Sequence, residues 1–228
     1  MNRLELIKNK EFRPMLAHKV GKEIDFTDKV FIQPKLDGIR CYITKDGAFT
    51  RNGKEIKNVK HINEALISLF EFHPDFILDG ELYNHELHDD FNKIVSLVRK
   101  QTPTEDDIEA SKELIQFHWY DIVTEEQQEQ RTFRIRQMYE FFFKFSTVIR
   151  YVETIEVPSI DQVNDLHLYY RHADYEGSIV RLNGQYKVNG RSRDLLKVKD
   201  WQDTEFTITD YVEGKGKFAG GIGKWLGS

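Results

Sequence analysis

The sequence predicts an α+β domain of antiparallel and mixed sheets flanked by helices, and three observations predict it. Short runs rich in β-branched and aromatic residues recur along the chain, among them Val30-Phe31-Ile32, Phe76-Ile77-Leu78 and residues 115–123. Between such runs lie segments with apolar residues at helical spacing, such as Ile62, Ala65, Leu66 and Leu69. The third is Lys45-Asp46-Gly47, a D-G turn between residues 41–44 and 48–51 that joins two strands as a hairpin. This alternation of strands and helices is that of an α+β domain.

Each element can be justified in order. Residues 2–10 have the pattern of a short helix, and Arg13-Pro14-Met15-Leu16-Ala17 breaks it, leaving a leader packed on the core. A strand follows and runs into Gln33-Pro34-Lys35-Leu36-Asp37-Gly38-Ile39-Arg40, which sets Lys35 at a strand end beside a glycine turn, from which a lysine reaches into a cleft. The hairpin then delivers Arg51-Asn52-Gly53 to a second strand end. Residues 61–70 form an amphipathic helix with a core face. In residues 76–83, Asp79 and Glu81 lie two apart on either side of Gly80, so they point to the same face of a strand. Residues 89–100 and 105–114 are helices of the scaffold. In residues 115–123, alternation puts His118 and Tyr120 on one face, with Phe117 and Trp119 on the other.

Residues 125–145 read as one long helix whose Phe133, Met138, Phe141, Phe142 and Phe145 belong to the core, and residues 148–157 as one strand. Ser159-Ile160-Asp161-Gln162 matches a capping box, opening a helix with Val163, Leu166, Tyr170 and Ala173 on its apolar face. Glu176 begins the next strand, and residues 195–199 set Lys197 and Lys199 on one face of another. Residues 186–193 between them read as a polar, basic loop.

Composition narrows the class. In 228 residues, 39% are hydrophobic, which supplies a sizeable core. A net charge of −5 excludes a uniformly basic coat, yet leaves room for a local basic groove. The single cysteine, Cys41, excludes a disulfide framework and a four-cysteine zinc site, and its strand position makes it a packed residue. The sequence has no apolar run long enough for a bilayer and no signal-peptide pattern at its start, so a cytoplasmic setting without membrane contact is expected.

The charged residues form a set. Lys35, Arg40, Arg51, Lys197 and Lys199 are cations at strand ends, Glu81 and Glu176 are acids in similar places, and Tyr120 offers an aromatic floor. A nucleoside triphosphate site needs these types: cations for the phosphoryl oxygens, acids for the sugar or a divalent metal, and a flat ring for the base.

In order, Lys35-Leu36-Asp37-Gly38-Ile39-Arg40, Thr50-Arg51-Asn52-Gly53, Asp79-Gly80-Glu81, Phe117-His118-Trp119-Tyr120-Asp121, Glu176-Gly177-Ser178-Ile179-Val180-Arg181 and Leu196-Lys197-Val198-Lys199 resemble the motif series of covalent nucleotidyltransferases. Among these, the series is most similar to ATP-dependent DNA ligases of the small viral or phage-like type, from about Pro14 to Trp201. The resemblance implies an ATP-grasp-like nucleotidyltransferase (adenylation) domain over residues 1–202. It implies that Lys35 attacks the α-phosphate of ATP and carries AMP, with Lys197 and Lys199 on that phosphate, and Arg40 and Arg51 on phosphates or the DNA 5′-phosphate. Glu81 would hold the ribose, Tyr120 would stack on adenine with Phe117 as the other candidate, and Gln33 would read the adenine amino group or serve strand pairing. Glu176, with Glu81 beside it, would hold Mg2+ or Mn2+; Asp37 is a structural acid, and Asp79 a supporting or turn-forming one, with ligand contact as the alternative. The partner implied is nicked double-stranded DNA, sealed by a monomer in repair, replication or recombination, in a bacterial or virus-infected cell.

Residues 205–213 read as a strand and 214–224 as a flexible basic loop, which together resemble the opening of the family's oligonucleotide-binding (OB) barrel. Residues 203–228 are thus expected to be a linker and an incomplete OB-fold, since closure needs about five strands. The family's last basic motif is not found, so limited unaided reaction with ATP is expected. RNA ligation and GTP-dependent mRNA capping use the same lysine chemistry and are the alternatives; a nucleic-acid-binding module without catalysis is the non-enzymatic one. A nicotinamide-dependent ligase fits less well, because neither its leader domain nor its zinc cysteines are recognisable.

Overall fold

The computed structural model describes residues 3–9, 11–19, 24–198, 208–213 and 222–227. Its strands are β1 (Leu16–Lys19), β2 (Val30–Lys35), β3 (Ile39–Thr44), β4 (Gly47–Thr50), β5 (Leu78–Tyr83), β6 (Gln116–Ile122), β7 (Ile149–Tyr151), β8 (Ile155–Val157), β9 (Gly177–Leu182), β10 (Arg191–Val198), β11 (Ile208–Glu213) and β12 (Ile222–Gly227). One five-stranded sheet has the order β1-β10-β9-β2-β8 and the other β4-β3-β5-β6-β7. Both are mixed: β1 with β10 and β6 with β7 run parallel, and the other neighbours antiparallel.

The chain passes from the first sheet to the second between β2 and β3, through Leu36-Asp37-Gly38. Lys35 therefore stands at the seam between the sheets. A return crossing divides the segment expected as one strand over 148–157. Its first part is β7 of the second sheet, where the Val152 amide still donates to Trp119 O (3.0 Å). Two residues later Thr154 Oγ1 accepts from Gln33 Nε2 (2.6 Å) in the first sheet, and β8 continues there. β-propensity cannot reveal such a crossing, because both halves have strand composition.

Helices cover the sheets as their apolar faces require. The main core lies against the second sheet and includes Ile62, Leu66 and Leu69, as their spacing predicts, although the segment forms two helices, α2 (Lys60–Ala65) and α3 (Ile67–Phe72), that break at Leu66. The scaffold helices α4 (Phe91–Val98) and α5 (Glu105–Leu114) follow. Ser159 caps α7 (Ile160–His172) by accepting from Gln162 N, and Val163 and Tyr170 join Ile32 and Val180 in a core under the first sheet. A third cluster packs the leader, with α1 (Arg3–Lys8), through Leu6, Phe12 and Met15 onto Tyr42, Ile77 and Tyr186.

Several expectations are corrected. The long helix is α6 (Gln128–Met138) followed by a π-helical turn, Tyr139–Phe143. The wider turn changes which residues face inward from Tyr139 on: Phe143 is buried, whereas Phe141 and Phe145 are 80% and 92% exposed; Phe133, on α6 ahead of the turn, is 61% exposed, and none of these three belongs to the core. The leader contributes β1, which the proline break had hidden. β10 starts at Arg191, not near 195, because β1 and β9 flank it, and Tyr186 of the expected polar loop is buried. β11 and β12 pair antiparallel as a two-stranded sheet. Residues 205–207 and 214–221 lie outside the described residues, and 222–224, expected in a loop, belong to β12. Among the described residues no helix is long and apolar enough to cross a membrane.

Candidate active site

The two sheets enclose a polar pocket of about 330 Å3 at their seam. Of the residues expected from the sequence, Gln33, Lys35, Arg40, Arg51, Glu81, Tyr120, Glu176 and Lys197 all line it. Lys199 lies outside the described residues. A larger apolar groove of about 850 Å3, lined by Phe72, Phe133, Phe141 and Phe142, holds none of them.

Lys35 ends β2 opposite Gly177 of β9, and its carbonyl accepts from the Glu176 amide (3.1 Å). The same neighbourhood brings the Glu176 carboxylate onto Lys35 Nζ as an ion pair. The next residue has to be glycine: the φ of Gly177 is +152°, and a Cβ there would stand 2.5 Å from Val198 O of β10. The sequence placed Glu176 in the same charged set but not on the lysine itself; an amine nucleophile needs its lone pair free, so the pair with Glu176 is a resting arrangement.

Arg40 is forked onto Asp79, with Nε to Oδ1 at 3.0 Å and Nη2 to Oδ2 at 2.6 Å. Asp79 is fully buried and also accepts from Tyr186 Oη (2.7 Å), so it anchors Arg40 and does not face a ligand. Burial works against the Arg40 charge, but the Asp79 carboxylate together with Tyr120 and Tyr186 outweighs it and holds the guanidinium well above its usual range. Glu81 sits opposite Arg40 in the β3–β5 pairing. Burial pushes its carboxyl up to about 8; Asp79 adds to this, and Arg40 and the Tyr120 hydroxyl only partly offset it. Tyr120 donates weakly to Glu81 Oε2 (3.4 Å), and its ring lies 5.9 Å from the Arg40 guanidinium and 5.5 Å from that of Arg181. Phe117 is wholly buried under Gly80, where a Cβ would come within 2.3 Å of its ring, so Tyr120 is the aromatic residue of the pocket. Asp37 is exposed at the rim. Cys41 is buried, which raises its thiol well above the usual range and fits a packed residue.

A family model described as the ATP dependent DNA ligase domain matches residues 14–199. The chain belongs to this family. It is 31% identical over 210 residues to the DNA ligase of African swine fever virus (strain Badajoz 1971 Vero-adapted), across 86% of this chain and 48% of that protein. The chain thus spans about half the length of the curated relatives it matches. Its fold is similar to that of a Lig E DNA ligase, with a TM-score of 0.75 at 22% identity over 94% of this chain and 79% of that one. A Chlorella virus DNA ligase-adenylate has the same fold, with a TM-score of 0.64 at 22% identity over 90% and 74% of the two chains.

In this ligase domain, sequence reasoning missed four residues near the pocket. Arg191 lines it because β10 starts early, and Arg181 lines it from β9. Asp121 and Tyr186 stand behind it. A charge at the end of the apolar run Ile179-Val180-Arg181 was a legible signal; nothing local marks Tyr186. Among the described residues of the ligase domain no three His, Cys, Asp or Glu side chains cluster as a metal cage. Two pocket carboxylates suit a magnesium-type ion that draws its other ligands from phosphate and water. Glu176 is the better donor, since Glu81 is mostly neutral near pH 7.

Proposed function

We propose that this chain is the adenylating part of an ATP-dependent DNA ligase that seals nicks in double-stranded DNA. The observation that carries the reading is Lys35 at the sheet seam, with Glu176 on its amine and Arg40, Arg51, Glu81 and Lys197 around one pocket. Glu176, in contact with Nζ, is the acceptor at hand for the proton Lys35 must shed. The amine then attacks the α-phosphorus of ATP, a P–N bond forms, the bond to pyrophosphate breaks, and AMP stays on Lys35. Lys197, with Lys199 beyond the described residues, bears the charge on the α-phosphate; Arg40, held by Asp79, and the exposed Arg51 take phosphates of ATP or DNA. Glu81 holds the ribose, and adenine stacks on Tyr120. Magnesium or manganese on Glu176, with Glu81 as a second carboxylate, would neutralise phosphoryl charge.

A 5′-phosphate oxygen of the nick next displaces Lys35, which regains its proton, and the 3′-hydroxyl then displaces AMP to close the strand. Residues 1–202 form the adenylation domain, and β11–β12 open an OB domain. The enzyme works as a monomer in the cytoplasm of a bacterial or virus-infected cell. Intact-protein mass spectrometry tests the reading. ATP should add one AMP to the wild type and none to Lys35→Ala, and pyrophosphate should remove it. A GMP adduct from GTP would turn the reading to mRNA capping, and sealing of nicked RNA alone to RNA ligation. No adduct in a chain extended by a full barrel would refute adenylation and favour a binding module.

A further inference from the structure

A buried polar network lies behind the nucleotide pocket. Asp121 Oδ1 accepts from Arg131 Nε (2.8 Å) and from the Ile122 amide (2.8 Å), and its Oδ2 accepts from Arg181 Nη1 (2.5 Å). Asp121, Arg131 and Arg181 are 0%, 1% and 2% exposed, so one carboxylate faces two guanidinium groups inside the protein. Burial favours the neutral acid, yet the two arginines outweigh it and hold Asp121 below the usual carboxylate range. A surplus cation in an interior is costly, and tying two sheets together does not require one. What the second guanidinium does is visible at its other end: Arg181 Nε donates to Gln33 Oε1 at 2.7 Å.

Gln33 is buried and lines the pocket two residues before Lys35. Its Nε2 donates to Tyr120 O (3.2 Å) and to Thr154 Oγ1 (2.6 Å), and the Thr154 hydroxyl in turn points its proton at Val152 O (3.3 Å). The chemistry of these partners fixes the orientation of the amide. A guanidinium only donates and a carbonyl only accepts, so a flipped amide would oppose donor to donor and acceptor to acceptor. Both Nε2 protons and one Oε1 lone pair are then used. The capacity left is a second Oε1 lone pair, an acceptor.

We propose that Arg181, held by Asp121, is a specificity-determining positioning residue that locks the Gln33 amide with only an acceptor open to the pocket, selecting a purine with an amino group at position 6 over one with a carbonyl. The proposal rests on the adenylation reading and deepens it. An adenine amino group donates to the open lone pair, whereas the O6 of hypoxanthine or guanine meets another acceptor. Arg181 acts through Gln33 and need not touch the nucleotide. Lysine cannot replace it, because one ammonium does not reproduce the fork that reaches Asp121 and Gln33 together.

The test compares ATP with ITP, which differs at position 6 without the added 2-amino group of GTP. Selectivity is read as the ATP to ITP ratio of adduct formation on Lys35, and as the AMP to IMP affinity ratio by calorimetry, which needs no chemistry. The wild type should favour the amino base on the order of 100-fold, the size of one lost hydrogen bond with an unmatched acceptor. Arg181→Lys should reduce that ratio about tenfold or more, and in a Gln33→Leu background it should change nothing further, since its effect passes through that amide. Thr154→Val removes one Nε2 partner from a partly exposed position and should lower the ratio by about threefold; it decides the matter should Arg181→Lys not fold. An unchanged ratio in these variants, or equal loss for both bases, would overturn the lock and leave a structural network. Normal AMP selectivity without any adduct, in a chain extended by a full barrel as well, would instead sink the adenylation reading and leave the lock standing.

Discussion

Glu81 lets stability report on the pocket's electrostatics. Its carboxyl is moved from the ordinary 4.5 to about 8, chiefly by burial. Below pH 4.5 the group is neutral whether the chain is folded or not, and it contributes nothing. Between 4.5 and about 8 the unfolded chain ionises while the folded one keeps its proton, so stability falls as pH rises. At about 1.4 kcal/mol per pH unit the full shift is worth at most about 5 kcal/mol. Glu81 is only partly buried in the open pocket, and water there reduces the effect to about 2 kcal/mol. Glu81→Gln removes the titration. Urea unfolding at pH 5, 7 and 9 should therefore show the variant gaining on the wild type, with the gap widening to pH 8 and flat beyond. A constant gap from pH 5 to 9 would refute the reasoning, because it would mean that Glu81 titrates alike in both states.

Further outcomes follow from the same geometry. Arg40→Met strips two charge-assisted bonds from the fully buried Asp79 and should cost about 3–5 kcal/mol by urea unfolding, whereas Lys45→Met, in an exposed pair, should cost less than about 1. Tyr120→Phe keeps the ring and should leave the KM for ATP within about threefold, while Tyr120→Leu should raise it about tenfold or more in adduct-formation kinetics. Arg51 is exposed at the rim of the pocket, so under the proposed function Arg51→Ala should weaken binding of nicked duplex alike for all sequences. Titrations in increasing salt should show the slope of log affinity against log salt reduced by about one.

The site was more legible than the framework around it. Strand ends and glycine turns are local features, so the placement of Lys35, Arg51 and Glu176 could be read from short windows. The shared face of Asp79 and Glu81 follows from the two-residue period alone. The different work of these two acids does not: Asp79 is closed off by Arg40 and Tyr186, and Tyr186 arrives from 107 residues away. The same limit applies to the exposed phenylalanines: the spacing of Phe133, Phe141 and Phe145 does not show which face of the segment meets the core, and a π-helical turn shifts that face from Tyr139 on.

By itself, then, the sequence determined the α+β class, the order of the motifs and the residue types that converge on one pocket, because propensity, alternation and turn chemistry act over a few residues. Only the tertiary structure decided that the segment after Ser146 splits between two sheets, that Glu176 rests on Lys35, and that Arg181 reaches back to Gln33. Each of these joins groups far apart in the chain. Their energies come from burial and from pairing in a shared interior, which exists only after the sheets have met.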